Sequence, residues 1–511
     1  SSAPGADGQS ARFASGGTVS AVRGAGADAE SRGGGGFPAT GAGVGRADGL
    51  AAAGANAGAN GGANAGANAG ANGGANGGAN GGANGGPRKL TVADVLRAHA
   101  AEYLAWRGAR ASFQERRVLA QLTACRTAAL GGHAWECEAC GAVRADYNSC
   151  GNRHCPTCRG AARAKWLERV RADLLPVPYF HAVQTLPHEP QLDRLVLANR
   201  ALLYGLLFHV TAAALLELAA DPRHLGARIG LLMVLHTWGQ LMDLHTHVHV
   251  VIPGGGLSLD GEHWVSCRDG FFLPVAVLGA LVRGKFLAGL KRLWRSGKLK
   301  LDGKLAPLAN PRTFESWLAT LYAKKWVAFA QGPPSGVHGS DAVLKYLARY
   351  VSGVAISDRR LVSHANGQVR FRWKNYARGG CSAITAPLEG VEFVRRYLLH
   401  VLPRGFVRIR CYGLLSNRRR PSDLARCRAL LGAAPRAALA AAIPVAASTT
   451  PTTPTAPTTP AAASTASARP DASTCPTCRR GRLVLRESWP RPTVWDLVAR
   501  PSSPLRPRAA R

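Results

Sequence analysis

Acidic residues are scarce in this 511-residue chain, with 30 Asp and Glu against 64 Lys and Arg and a formal net charge of +34. That deficit excludes an acidic surface and implies a polyanionic partner, because Lys and Arg gain affinity by releasing counterions from phosphates. No apolar run reads as long enough to span a bilayer, and the N-terminus lacks the basic-then-apolar layout of a secretory signal. A cytosolic, nucleoid-associated location is therefore expected, with no membrane partner. Large apolar side chains are nearly missing from residues 1–86, where Gly, Ala and Asn dominate and Asn recurs every fourth position from Asn56 to Asn84. Such a segment has no core to bury and is expected to be disordered. Its four arginines are matched by four acidic residues, so the whole charge excess lies in residues 87–511.

Twelve cysteines are present. In a long basic chain from a reducing compartment they read as metal ligands and buried thiols rather than a disulfide framework. The run from Cys125 to Cys158 concentrates them, with Cys137-Glu-Ala-Cys140 and Cys155-Pro-Thr-Cys158 as two C-x2-C pairs. Paired thiolates on tight knuckles suit tetrahedral zinc, so Cys137, Cys140, Cys155 and Cys158 form the preferred site. Cys125, His133, Cys150 and His154 remain as spare ligands for a second ion or as buried thiols and backbone-bonded imidazoles. Four thiolates leave no open position, so this zinc is expected to be structural, folding a basic module that presents Arg144, Arg153, Arg159, Arg163 and Lys165 to phosphates. The pair Cys475-Pro-Thr-Cys478 is half a site that could recruit Cys427 or a partner chain, or bind nothing.

Apolar spacing near three and four predicts helix over residues 88–122 and from Arg159 to Leu175, the latter stopped by Pro176. A strand at Phe180 to Leu186, a helix at Leu192 to Leu218, strands at Ile229 to His236 and His245 to Ile252, and a helix from Val275 to Trp294 follow. The order βαββα suits an antiparallel sheet with helices on one face. Further strands are expected at Val369 to Lys374 and Val407 to Cys411. A basic Ala-rich helix after Ser416 leads to a Thr/Pro/Ala linker at about Ser448 to Pro460.

His245-Thr-His247-Val-His249 ends in Val250-Val-Ile-Pro-Gly-Gly-Gly256. Alternation along a strand sends the three imidazoles to one face and Thr246, Val248 and Val250 to the other, which aims the histidines into a shared metal site. A third ligand beside His247 and His249 could be His245, His236 or Gln240. Tyr346 and Tyr350 stand four apart on a predicted helix over Asp341 to Ser352, one turn from each other, with Lys345 and Arg349 on an adjoining face. A phenol attacks phosphorus only with help in deprotonation and cations to steady the phosphate. Gly279-Ala-Leu-Val-Arg-Gly284-Lys285 mimics a phosphate-binding loop, but Phe286 stands where Ser or Thr is required and the match lies in a helix, so no nucleotide cofactor is expected.

Five ordered stretches together resemble the His-hydrophobic-His (HUH) transposases of the insertion sequence ninety-one family. They are Cys125-Arg-Thr with Gly132-His133, Ser149 to Cys158, Leu235-His-Thr-Trp-Gly239, His245 to Gly256, and Tyr346-Leu-Ala-Arg-Tyr-Val351. The resemblance implies an α+β chain with a ferredoxin-like antiparallel sheet, preceded by a small zinc module and flanked by disordered segments. It places the catalytic metal, Mg or Mn, on His247 and His249, and the nucleophiles on Tyr346 and Tyr350. It also implies single-stranded DNA at element ends as substrate, a 5′-phosphotyrosine intermediate and a free 3′-hydroxyl. The expected divisions are a disordered head at 1–86, a zinc module at 87–175, a nuclease domain at 176–415 and a tail at 416–511. A rolling-circle replication initiator or relaxase would share this chemistry, although the zinc module ahead of the histidines favours the transposase. A catalytically inactive zinc-dependent DNA-binding protein is the alternative from another class.

Overall fold

The computed structural model describes residues 89–268, 272–332, 353–375, 379–432 and 474–499. The Gly/Ala/Asn-rich head, the tyrosine-bearing segment and the Thr/Pro/Ala linker lie outside the described residues. What is described is a mixed chain of helices and antiparallel sheets.

The N-terminal helical stretch is two helices, α1 (Val92–Arg107) and α2 (Phe113–Thr123). Gly108 adopts a left-handed φ of 53° and Ser112 opens α2 with a capping box to Glu115, so the chain turns where periodicity alone reads straight on. The hairpin β1 (Gly132–Cys137) and β2 (Val143–Tyr147) follows, then α3 (Arg159–Arg171). Next come β3 (Tyr179–Thr185), α4 (Pro190–Ala198) and α5 (Arg200–Ala220). The single helix expected at Leu192 to Leu218 is broken at Asn199, whose amide donates to the Lys300 carbonyl at 3.1 Å while its oxygen accepts from the Lys300 amide at 2.8 Å.

The chain continues through β4 (Ala227–Arg228), β5 (Gly230–Trp238), β6 (Leu244–Pro253), β7 (Gly255–Ser258), β8 (Trp264–Ser266), α6 (Val275–Arg295), α7 (Pro311–Ala323) and β9 (Ala328–Gln331). Beyond residue 353 lie β10 (Leu361–Ala365), β11 (Gln368–Asn375), β12 (Cys381–Ile384), β13 (Leu388–Glu389), α8 (Gly390–Leu399), β14 (Ile409–Gly413), α9 (Arg420–Leu430), β15 (Leu483–Trp489) and α10 (Val494–Ala499).

The largest sheet has five antiparallel strands in the order β14-β5-β6-β3-β9, with β6 in the middle. Leu231, Met233 and Leu235 of β5 and Val248, Val250 and Ile252 of β6 point to one face and join α5 and α6 in the main core. Burying such side chains stabilises by roughly 1.5–3 kcal/mol each, which holds the middle strand rigid. Contrary to the sequence expectation, α5 is long and apolar enough to cross a membrane by length and composition. Here Leu203, Leu207 and Leu215 are buried in that core, as in the central helix of a folded domain.

Two packing relations join segments far apart in the sequence. The α1/α2 pair shares a second core with Cys125, Cys150 and Cys155 and with Phe371 of β11 and Phe393, Val394 and Tyr397 of α8. Strand β15 pairs along β1 to complete the sheet β15-β1-β2.

Candidate metal centre and cleft

The second face of the five-stranded sheet carries the histidines. Register sets His247 of β6 opposite His236 of β5, and His249 opposite Val234 of β5 and Val183 of β3. The third member of the cluster is therefore His236: the ligand atoms of His236, His247 and His249 all lie within 4.8 Å of one another, and all three residues are buried. Gly353 packs against this cluster, since a Cβ there would sit 3.0 Å from the His236 Nε2. His245 is not in the cluster. Near the strand end its Nδ1 faces His188 Nε2 at 2.9 Å, and His188 in turn approaches Asp193. Gln240 lines the same cleft with its side-chain oxygen accepting from the Lys374 amide at 3.3 Å.

Neighbours orient the two β6 imidazoles. The His247 Nδ1 donates to the His245 carbonyl at 2.8 Å, which leaves the Nε2 lone pair for a ligand. The His249 Nδ1 meets His181 Nε2 at 2.9 Å, and the two Nε2 atoms converge at 3.1 Å. Burial, reinforced by neighbouring imidazoles, pushes His247 down to about 3 and His249 well below the usual histidine range. Burial also pushes His181 down to about 4. His247 and His249 are thus neutral near pH 7, the state in which an imidazole can hold a metal. His181 was missed by sequence reasoning; its signal was the alternation of β3, which buries Phe180 and Ala182 in the core and turns His181 to the histidine face.

The cluster opens into a cleft of about 880 Å³ whose walls include Arg163, Arg360 and Lys374 together with Asp243 and Asn375. Helix α3 lies across the same face, packing Trp166 and Val170, with Leu174 just beyond its end, against Leu232, Val234 and Val251, and this brings Arg163 to the cleft. Lys165 is exposed on the same helix. Arg153 and Arg159 are turned inward. Arg153 donates to the carbonyls of Phe406 and, at 2.9 Å, Pro403, and Arg159 donates to the Arg153 carbonyl at 2.8 Å. Arg153 thereby ties the cysteine run to the chain around residue 405. Tyr346, Tyr350, Lys345 and Arg349 lie outside the described residues.

The cysteines divide differently from the expected quartet. Cys155 and Cys158 join Cys125 and Cys150, while Cys137 and Cys140 join Cys475 and Cys478; within each set all sulfurs lie within 4.8 Å of one another. Sequence spacing pairs neighbouring knuckles, but Cys137 and Cys140 lie at the turn of the β1/β2 hairpin, whose β1 strand pairs with β15 of the tail. In the first set Cys125 and Cys158 stand at 3.4 Å, and the other thiols hold the Cys158 sulfur far below the usual thiol range. His133 and His154 are not among these ligands. His133 meets the Ser488 hydroxyl at 3.1 Å, and burial pushes His154 down to about 3 where its Nε2 accepts from the Leu402 amide. Cys427 is buried in an apolar cluster and has no part in either set.

Comparison with known proteins accords with this architecture. Residues 230–422 match the family described as "Putative transposase", and residues 95–186 match that described as "Transposase zinc-binding domain". The chain is 49% identical over 341 residues to "Putative transposase y4qJ" of Sinorhizobium fredii, an alignment covering 67% of this chain and 84% of that relative. It is 28% identical over 307 residues to "Transposase for insertion sequence element IS801" of Pseudomonas savastanoi pv. phaseolicola, covering 58% of this chain and 69% of the relative. No solved structure matches it significantly.

Proposed function

The chain belongs to the insertion sequence ninety-one family of transposases, with a zinc-binding domain in its N-terminal part, and on that premise we propose that it cuts and rejoins single-stranded DNA at the ends of a mobile element. The observation that carries the proposal is the buried trio His236, His247 and His249 at the floor of a cleft walled by Arg163, Arg360 and Lys374. Strand β6, the middle of five antiparallel strands, bears two of the three, an arrangement that supports a ferredoxin-like HUH nuclease domain. We assign that domain to residues 176–415 and place its work in the cytoplasm, on nucleoid DNA.

The residues fit a divalent cation. Three imidazole nitrogens converge, and His247 and His249 have their second ring nitrogen already engaged, the arrangement that orients metal-binding histidines. When bound, Mg or Mn supplies positive charge that polarises the scissile phosphate. An all-imidazole set favours Mn over the harder Mg. Arg163 and Lys374 hold the DNA backbone in the cleft. The phenol oxygen of Tyr346 or Tyr350 then bonds to phosphorus as the bond from phosphorus to the 3′ oxygen breaks. The phenolic proton is given up and the departing oxygen takes one, leaving a 5′-phosphotyrosine and a free 3′-hydroxyl. One phosphodiester is exchanged for another, so the cut strand can be rejoined by the reverse attack without a nucleotide cofactor.

Incubation with labelled single-stranded DNA from element ends, with Mn or with chelator, followed by denaturing electrophoresis, tests this. A metal-dependent covalent band, lost in Tyr346→Phe, Tyr350→Phe or the double variant, is expected. Intact DNA throughout, with binding retained, would instead favour a DNA-binding protein without nuclease activity.

A further inference from the structure

We propose that Cys137, Cys140, Cys475 and Cys478 form a second structural zinc site, assembled from two knuckles whose Cys140 and Cys475 stand 335 positions apart in the sequence. It goes beyond the cleavage chemistry and does not depend on it.

The four sulfurs lie within 4.8 Å of one another, with Cys137 and Cys478 at 3.6 Å and Cys140 and Cys475 at 3.8 Å. Thiolates about 2.3 Å from a tetrahedral zinc stand about 3.8 Å apart, so the spacing matches that ion and is far too long for disulfides. The backbone repeats the same device on both sides. The Gly141 amide donates to the Cys137 carbonyl at 2.9 Å, and the Arg479 amide to the Cys475 carbonyl at 2.8 Å. The residue after each second cysteine is left-handed, Gly141 at φ 66° and Arg479 at φ 56°. Arg479 is one of few described non-glycine residues in that region, and a tight turn around a shared ion accounts for it.

The knuckles also interlock. The Glu138 amide donates to the Arg482 carbonyl at 3.0 Å, and the Gly481 amide reaches the Cys478 sulfur at 3.3 Å. A Cβ at Gly481 would lie 2.3 Å from the Cys137 sulfur and 2.6 Å from the Ala139 Cβ, so only glycine allows the approach. Pairing of β15 with β1 continues directly from this contact. Four thiolates around a dication leave a net double negative charge, and Arg479, Arg480 and Arg482 stand exposed in the same turn to offset it.

Metal analysis of the purified full chain tests the proposal. Two zinc ions per chain are expected, one in Cys475→Ser/Cys478→Ser, and one in Cys125→Ser/Cys150→Ser, which removes the other set. A single zinc in the unaltered chain, iron in place of zinc, or two zincs kept by the tail variant overturns it. Because variants can fail to fold, cobalt is also titrated into the metal-stripped unaltered chain. Thiolate-to-cobalt absorption rising to two equivalents supports the second site, and saturation at one overturns it.

Discussion

His181 shows how a site residue can be silent in sequence and active in space. It touches His249 rather than the cleft, fixing which ring nitrogen of His249 faces outward. His181→Ala should weaken manganese binding about 10- to 100-fold by calorimetry, the range for loss of a ligand's hydrogen-bonding partner. His181→Gln should restore part of it; unchanged affinity with a lowered melting temperature would mean a packing role alone. The alternation of His245, His247 and His249 was legible because a strand's period of two depends only on local geometry. The choice of His236 over His245 and Gln240 was not legible, since it depends on the register between β5 and β6. His400 adds a pH dependence away from the metal cluster. Fully buried between the Thr237 hydroxyl and the Met242 carbonyl, it is pushed down to about 4 by burial. An unfolded chain protonates histidine near 6.5, so below that pH the unfolded state binds the extra proton and the folded state does not until about 4. Stability contributed by His400 is therefore present above pH 6.5 and lost as pH falls toward 4, about 3 kcal/mol in all. Other buried histidines add to the same slope, so urea unfolding from pH 7 to pH 4 should lose about 3 kcal/mol less in His400→Gln than in the unaltered chain.

At the scale of elements, sequence periodicity located β3, β5, β6, α6 and β11 within a few residues, because each presents an apolar face to one core. It failed where a distant partner interrupts a helix. Asn199 breaks the α4/α5 stretch through bonds to Lys300, more than a hundred residues away, and no local pattern encodes that partner. Asn199→Ala removes these bonds and leaves the Lys300 backbone groups to other partners. It should cost about 2 kcal/mol in urea unfolding with the m-value unchanged. The strands after Gly254 were also missed. Gly256 passes so close to Arg228 that a Cβ would meet its carbonyl at 2.3 Å, and three glycines in a row read as a turn rather than as a crossing of strands.

For the whole molecule, charge was readable from composition, but the direction in which each cation faces was not. Binding to single-stranded DNA should weaken steeply with salt. Lys165→Ala, which removes an exposed cation from α3, should reduce the slope of log K against log salt by about 0.7 if it meets one phosphate. Arg153→Ala should leave that slope unchanged and lower the melting temperature, because its guanidinium is held by the Phe406 and Pro403 carbonyls. The two cysteine sets were misassigned for a related reason: spacing favours the nearest knuckle, whereas the β1/β15 pairing brings in a partner from the far end.

That pairing also sets a timetable for synthesis. Cys140 and Cys475 are 335 residues apart, so a ribosome adding about 5–20 residues per second delivers the second knuckle roughly 20–70 s after the first. During that interval the nascent chain carries two unmatched thiols and an open strand edge on β1, both of which invite wrong partners. A message cut short before the tail codons would yield a protein that never leaves that vulnerable state.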